Sequence, residues 1–222
     1  MAKKNNLKKA LAEGTFLKGT FVRINDPAVL EIIGAAGLDF AIVDLEHGSY
    51  GYKSAEELVR AAELAGISPI IRVRKNEASL ISKALDIGAT GVQVPQVSTG
   101  AEASKVVESA LFYPGGERGV CCYVRSAGYS HRPKKDYLGS ENQKSLVVVQ
   151  IEGQKGLQNI DEIMGVEGID VIFIGPYDLS QSLGVPGEIE HPLVLKEMEG
   201  IARRAQGAGL SAGTFVENTL TA

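Results

Sequence analysis

The sequence predicts an α/β chain folded as a (β/α)8 TIM barrel that lacks its last strand-helix unit. Three observations carry this expectation. Short β-branched runs alternate with helical runs that have their own start and stop signals, the pattern of a parallel sheet wrapped by helices. Seven such strands fit into 222 residues, more than an open doubly wound sheet usually holds. No GxGxxG follows the first strand, as a dinucleotide-binding sheet would require.

The first strand is expected over residues 15–23. Asp26 then caps a helix with Pro27 at its first position, and Gly37 ends it ahead of a buried strand at 38–44. Ser54 and Glu57 read as a capping box, and their helix runs to Gly66 before a strand at 69–73. Asn76 opens a helix that stops at Gly88, and the fourth strand is 91–94. A helix from Thr99 to Leu111 leads into a long irregular stretch, followed by strands at 145–151, 170–174 and 210–216. Only residues 217–222 remain, too few for a crossover and an eighth strand. The expectation is therefore a truncated chain, or a neighbouring chain that covers the gap in a homo-oligomer.

Residues 1–222 read as a single barrel domain, large enough to bury roughly 70% of its unfolded surface without a disulfide or structural metal. Its two cysteines, Cys121 and Cys122, are adjacent, which makes a bridge between them geometrically poor and suits a cytoplasmic location. The basic start is followed by no apolar leader, and no apolar run is long enough to span a bilayer. A formal charge of −4 argues against nucleic-acid partners.

In a barrel, the chemistry sits where strands end, and four of these strands end in polar groups. The second finishes Asp44, Leu45, Glu46, His47, Gly48; the third carries Arg72; the fifth ends Gln150, Ile151, Glu152; the sixth leads into Gly175, Pro176, Tyr177, Asp178. Glu152 and Asp178 are hard oxygen donors on neighbouring strands, the pair that Mg²⁺ or Mn²⁺ takes while keeping positions open for water and substrate. Asp178 reads equally well as a helix cap. His47 is the residue type best suited to acid/base work, with Asp44, Glu46, Arg72 and Asp86 as charged company, although a lone histidine can equally be structural. Arg72 offers a planar fork for a carboxylate, and Arg74, on the same face, reads as an alternative surface partner. His131 and His191 sit in polar or cap-like contexts, and the cysteines lack an evident base.

The segments VDLEHG, IIRV, ALDIGATGVQVPQV, YPGGERGV, VVVQIEG and IGPYDLSQSLGVPG, together with a loop carrying Arg125 and Tyr129, resemble the HpcH/HpaI aldolases. The likeness spans residues 15–216, and its most specific part is QIEG followed in order by IGPYDLSQSLG. It implies a barrel of the phosphoenolpyruvate/pyruvate type and a class II aldolase that splits a 4-hydroxy-2-oxo acid into pyruvate and an aldehyde through a metal-stabilised enolate. By this likeness Glu152 and Asp178 bind Mg²⁺, Mn²⁺ or Co²⁺, and Arg72 holds pyruvate. His47 and Asp86 form the acid/base dyad. Gln150, with Gly175 and Pro176, helps place the substrate. Two other readings stay open: a CoA-ester lyase of the citrate-lyase-β or malyl-CoA type, and a barrel that only binds a 2-oxo acid.

Overall fold

The computed structural model describes residues 7–217. Seven parallel strands lie in sequential order: β1 (Gly19–Val22), β2 (Phe40–Asp44), β3 (Ser68–Arg72), β4 (Gly91–Val94), β5 (Leu146–Ile151), β6 (Val171–Ile174) and β7 (Ser211–Thr214). Helix α1 (Leu7–Ala12) precedes them, and α2 (Pro27–Ala35), α3 (Tyr52–Leu64), α4 (Ala78–Asp86) and α5 (Gly100–Ala110) form the first four crossovers. α6 (Lys134–Lys144) leads into β5, and α7 (Gln154–Gln158) and α8 (Ile160–Met164) lead into β6. α9 (Pro176–Ser182) and α10 (Pro192–Gly207) lead into β7.

The strands agree with the expected ones to within a few residues, and β4 matches at both ends. Asp26 accepts the Ala28 N–H at 2.9 Å with Pro27 beginning α2, and Thr99 caps α5 through the Glu102 N–H. Two expected helix starts are corrected. α3 begins at Tyr52 behind Gly51, ahead of the Ser54/Glu57 pair, because the Tyr52 ring packs on the core while its hydroxyl donates to Leu80 O. α4 begins behind Glu77, since the Asn76 amide is drawn off to Glu102 O. The stretch read as irregular contains α6, in which Tyr137 is the one buried side chain and Leu138 packs beside it, so no apolar stripe announces the helix.

Alternation along the strands divides the core in two. Val43, Ile71, Val92, Val94, Val147, Val149, Ile151, Ile172 and Ile174 face the surrounding helices in one cluster. Ile42, Ile70, Leu146, Val148, Val171 and Phe173 face inward, joined by Phe21, and Leu7 and Leu11 of α1 pack against them. The sheet is curled, since Phe21 of β1 meets Phe173 of β6 edge-on at 5.9 Å between ring centres and Phe215, just past β7, at 6.4 Å. Among the described residues β1 and β7 are not paired with each other, which agrees with a barrel short of a final unit. No described helix is long and apolar enough to cross a membrane.

Candidate active site

The alternation that buries Ile42 and Ile70 inward also points Asp44 and Arg72 inward, two residues further along. The same parity sends Gln93, Gln150 and Glu152 into the barrel at the carboxyl ends of their strands. A polar layer thus sits directly above an apolar floor.

Asp44, with no exposed surface, is the anchor. Arg72 grips it edge-on, Nε to Oδ1 at 2.9 Å and Nη2 to Oδ2 at 2.6 Å, while its Nη1 lies 3.1 Å from Glu46 Oε2. Burial opposes ionisation of Asp44, but the Arg72 hydrogen bonds and charge, together with the His47 and Glu46 amides, hold its carboxyl below the usual range. Those two amides donate to Oδ1 at 3.2 and 3.1 Å, so one carboxylate fixes both the arginine and the turn that carries Glu46 and His47. The turn needs Gly48, where a Cβ would stand 2.1 Å from Asp44 O. The guanidinium fork expected to be free for a substrate is therefore engaged by Asp44; what it offers the mouth is Nη1. Arg74 is a structural tie, donating to Leu45 O and Tyr50 O.

His47 is exposed at the rim, its Nε2 3.9 Å from Glu46 Oε2. The expected dyad with Asp86 does not form within the chain. α4 runs back from the end of β3 toward the start of β4, so Asp86, its last residue, lies at the opposite end of the sheet, bound to Arg118 at 2.6 Å. Position before Gly88 gave no information about which end of the barrel Asp86 would reach. Arg125 and Tyr129 reach Glu63, and Arg60 and Glu56, so their loop lies along α3.

Glu152 is the buried member of an acidic group. Its Oε1 accepts the Gln96 N–H at 2.8 Å and its Oε2 the Gln150 amide at 2.5 Å. Burial first, then the charges of Asp178 and Glu46, outweigh these bonds and push its carboxyl up from 4.5 to about 7. Glu46 is likewise raised by burial, against the pull of Arg72 and with the charges of Asp44 and Asp178 added. Asp178 stands in the first turn of α9, where Gly175 holds the cap position without a side-chain bond, so capping is not its use. Pro176 is buried at the first position of that helix, and a Cβ on Gly175 would come within 2.9 Å of Glu152 Oε2 and 3.2 Å of Gln150 Nε2.

Two residues here escaped sequence reasoning. Gln96 adopts a left-handed backbone, φ 56°, that aims its N–H at Glu152. Gln93 donates to Gln150 Oε1 at 2.6 Å. The signal for Gln93 was present, since it is the one polar side chain inside a strand otherwise glycine and valine. His191 caps α10 by accepting the Leu193 N–H, and both cysteines are free thiols outside this group.

The donor set fits a hard divalent cation. The charge of Asp178 opposes that of the desolvated Glu152, and a cation held by these carboxylates would relieve both the repulsion and the burial of charge. Among the described residues no group of three or more His, Cys, Asp or Glu side chains is arranged to hold a metal, so water and substrate would complete the shell, as Mg²⁺ and Mn²⁺ permit.

Residues 17–220 match the family described as HpcH/HpaI aldolase/citrate lyase. A hydroxypyruvate/pyruvate aldolase of Roseobacter denitrificans is 35% identical over 210 residues, 94% of this chain and 81% of that protein. A 5-keto-4-deoxy-D-glucarate aldolase of Salmonella paratyphi C is 35% identical over 209 residues, again 94% and 81%. A solved HpcH/HpaI aldolase/citrate lyase family protein from Burkholderia cenocepacia superposes with a TM-score of 0.91 at 31% identity, covering 98% of this chain and 86% of that one. With the curled parallel sheet, the charged mouth and these similarities to carbon-carbon lyases together, the chain belongs to the HpcH/HpaI aldolase/citrate lyase family.

Proposed function

We propose that this protein is a divalent-metal-dependent aldolase that cleaves a 4-hydroxy-2-oxo acid to pyruvate and an aldehyde, and joins them in reverse. The observation that carries the reading is the group Glu46, Glu152 and Asp178, whose charges act on one another beside the Arg72 guanidinium. Glu152 and Asp178 are the residues that would hold Mg²⁺, Mn²⁺ or Co²⁺. Such an ion, when bound, supplies the charge that makes proton loss from the methyl group of pyruvate feasible. The relatives named aldolases support this reaction class.

In this reading each residue has a part that its placement supports. Arg72 Nη1 presents positive charge where an oxyanion develops, and Asp44 keeps that guanidinium from moving. The Gln150 amide gives the substrate one polar contact, and Gly175, close beside the Glu152 carboxylate, with the buried Pro176 that follows it gives a tight wall. His47 moves the proton at the aldehyde hydroxyl, with Glu46, in place of Asp86, as the carboxylate that orients it. The partners in this reading are a 2-oxo acid and an aldehyde. Assembly with copies of itself is supported by the unpaired edges of β1 and β7 among the described residues.

The test is pyruvate release from a panel of 4-hydroxy-2-oxo acids by chelator-treated protein, with and without Mg²⁺, Mn²⁺ or Co²⁺. Release that no metal restores, on any member, overturns the reading. His47→Ala is expected to slow cleavage by roughly 10²-fold, the ordinary scale of acid/base help, while Mn²⁺ affinity in a calorimetric titration stays unchanged. If Mn²⁺ affinity is what falls, His47 is a ligand. Gly175→Ala is expected to weaken Mn²⁺ binding by about tenfold or more with little change in melting temperature, because the added methyl displaces the Glu152 carboxylate. Normal Mn²⁺ affinity in that variant would remove Glu152 from the metal site.

A further inference from the structure

Gln93 belongs to no part of the chemistry described so far, yet it is among the most buried polar side chains in the protein, with 1% of its surface exposed. It projects inward from β4, between Val92 and Val94, which face the helices. Its Nε2 donates to Gln150 Oε1 at 2.6 Å, and Gln150 Nε2 donates in turn to Glu152 Oε2 at 2.5 Å. Its own Oε1 is one of the few buried polar side-chain atoms without a hydrogen-bond partner. A buried amide left half-satisfied works against folding, so the half that is satisfied needs a reason.

We infer that Gln93 is a positioning residue: its N–H fixes the direction of the Gln150 amide and thereby the carboxylate of Glu152. An amide has an acceptor end and a donor end of nearly the same shape, and Gln150 could lie either way round. Reversed, it would aim a carbonyl oxygen at the Glu152 carboxylate, acceptor against acceptor. A donor from Gln93 selects the orientation in which Gln150 gives its N–H to Glu152 Oε2. With the Gln96 N–H on Oε1, both carboxylate oxygens are then held in place. Groups that orient a ligand in this way commonly change metal affinity or activity by 10–100-fold when removed. The inference rests on the reading of Glu152 as a metal ligand, and it extends that reading to a residue which touches neither metal nor substrate.

The experiment is a double-variant cycle read by Mn²⁺ affinity, using calorimetry on the whole chain. Gln93→Met keeps the length of the side chain and removes the donor, and because the lost Oε1 has no partner the fold should persist; Gln93→Leu is the second variant should Gln93→Met prove unstable by thermal unfolding. Gln93→Met is expected to raise the Mn²⁺ dissociation constant about tenfold. Gln150→Met should do at least as much, and the double variant no more than Gln150→Met alone, because Gln93 acts through Gln150. Separate effects that multiply in the double variant would overturn the inference, as would a Gln93→Met or Gln93→Leu variant with the parent's affinity. A parent that binds no Mn²⁺ overturns the metal reading and this inference together, whereas a parent that binds it and a Gln93 variant that binds it equally overturns this inference alone.

Discussion

Glu152→Ala is expected to abolish metal-dependent pyruvate release, with a loss of at least roughly 10²–10³-fold, the scale on which removal of one preorganised charge-stabilising group is felt. Asp178→Ala should act in the same direction. Two protein carboxylates are the minimum that holds a hard cation while leaving room for substrate, and with one gone the ion remains largely hydrated and unplaced. The isosteric Glu152→Gln separates this effect from packing, since it keeps the shape of the side chain and the bond from the Gln96 N–H while removing the charge and the acceptor that faces Gln150 Nε2. The same carboxylate sets a pH dependence. Because burial and its acidic neighbours raise it from 4.5 to about 7, the metal-free protein binds a proton there that the unfolded chain has already released. Its stability should therefore fall as pH rises from about 4.5 to about 7, and Mn²⁺ should bind more weakly as pH drops through 7. Melting temperature across that window, compared between parent and Glu152→Gln, checks the first statement. An identical slope in both proteins, with metal-dependent turnover intact in Glu152→Ala, would defeat the assignment.

Arg72→Lys is expected to lower kcat/KM by about 10²-fold, and Arg72→Met to destabilise the fold by about 3–5 kcal/mol as well. The guanidinium satisfies Asp44 with two parallel bonds and Glu46 with a third contact. An ammonium has neither the fork nor the reach, so one Asp44 oxygen loses its partner in a place with no exposed surface. A second substitution divides structure from chemistry. Asp44→Leu combined with Arg72→Met removes both buried charges, and stability should return in part while turnover stays lost. Steady-state kinetics with thermal unfolding of the three variants measures this, and unchanged kinetics in Arg72→Lys would take Arg72 out of the site.

The strands were legible because a parallel strand covered on both faces reads as a continuous β-branched run, and IIRV and VVVQI leave little alternative. Glu152 and Asp178 could be singled out because the first follows such a run directly and the second stands four residues beyond one, where the chain direction alone fixes the end of the barrel that a residue reaches. Asp86 lies apart from His47 within the chain for the matching reason: it closes a helix, and the last turn of a returning helix lies at the other end. Arg72 stands out in the sequence as a charge on an apolar strand, but its commitment to Asp44 depends on the Asp44–Arg72 register between β2 and β3, which no spacing within one segment encodes. Gln93 was legible by parity, and only the pairing of β4 with β5 gives it Gln150 as a neighbour. α6 was missed because a helix with a single buried side chain has no apolar period to detect.

The apolar floor below the polar layer determines how the charges above it behave. Ile42, Ile70, Val148, Val171 and Phe173 form a low-dielectric cushion of buried side chains beneath Asp44, Arg72 and Glu152. Field lines from these groups spread poorly downward and are concentrated toward the open mouth, so an approaching anion or cation meets a stronger potential than the same charges would produce on a flat surface. Dissolved salt weakens charges on the helices within a Debye length of about 8–10 Å, but it screens the Arg72–Asp44 pair far less. The floor therefore acts as an electrical insulator beneath the charges at the rim.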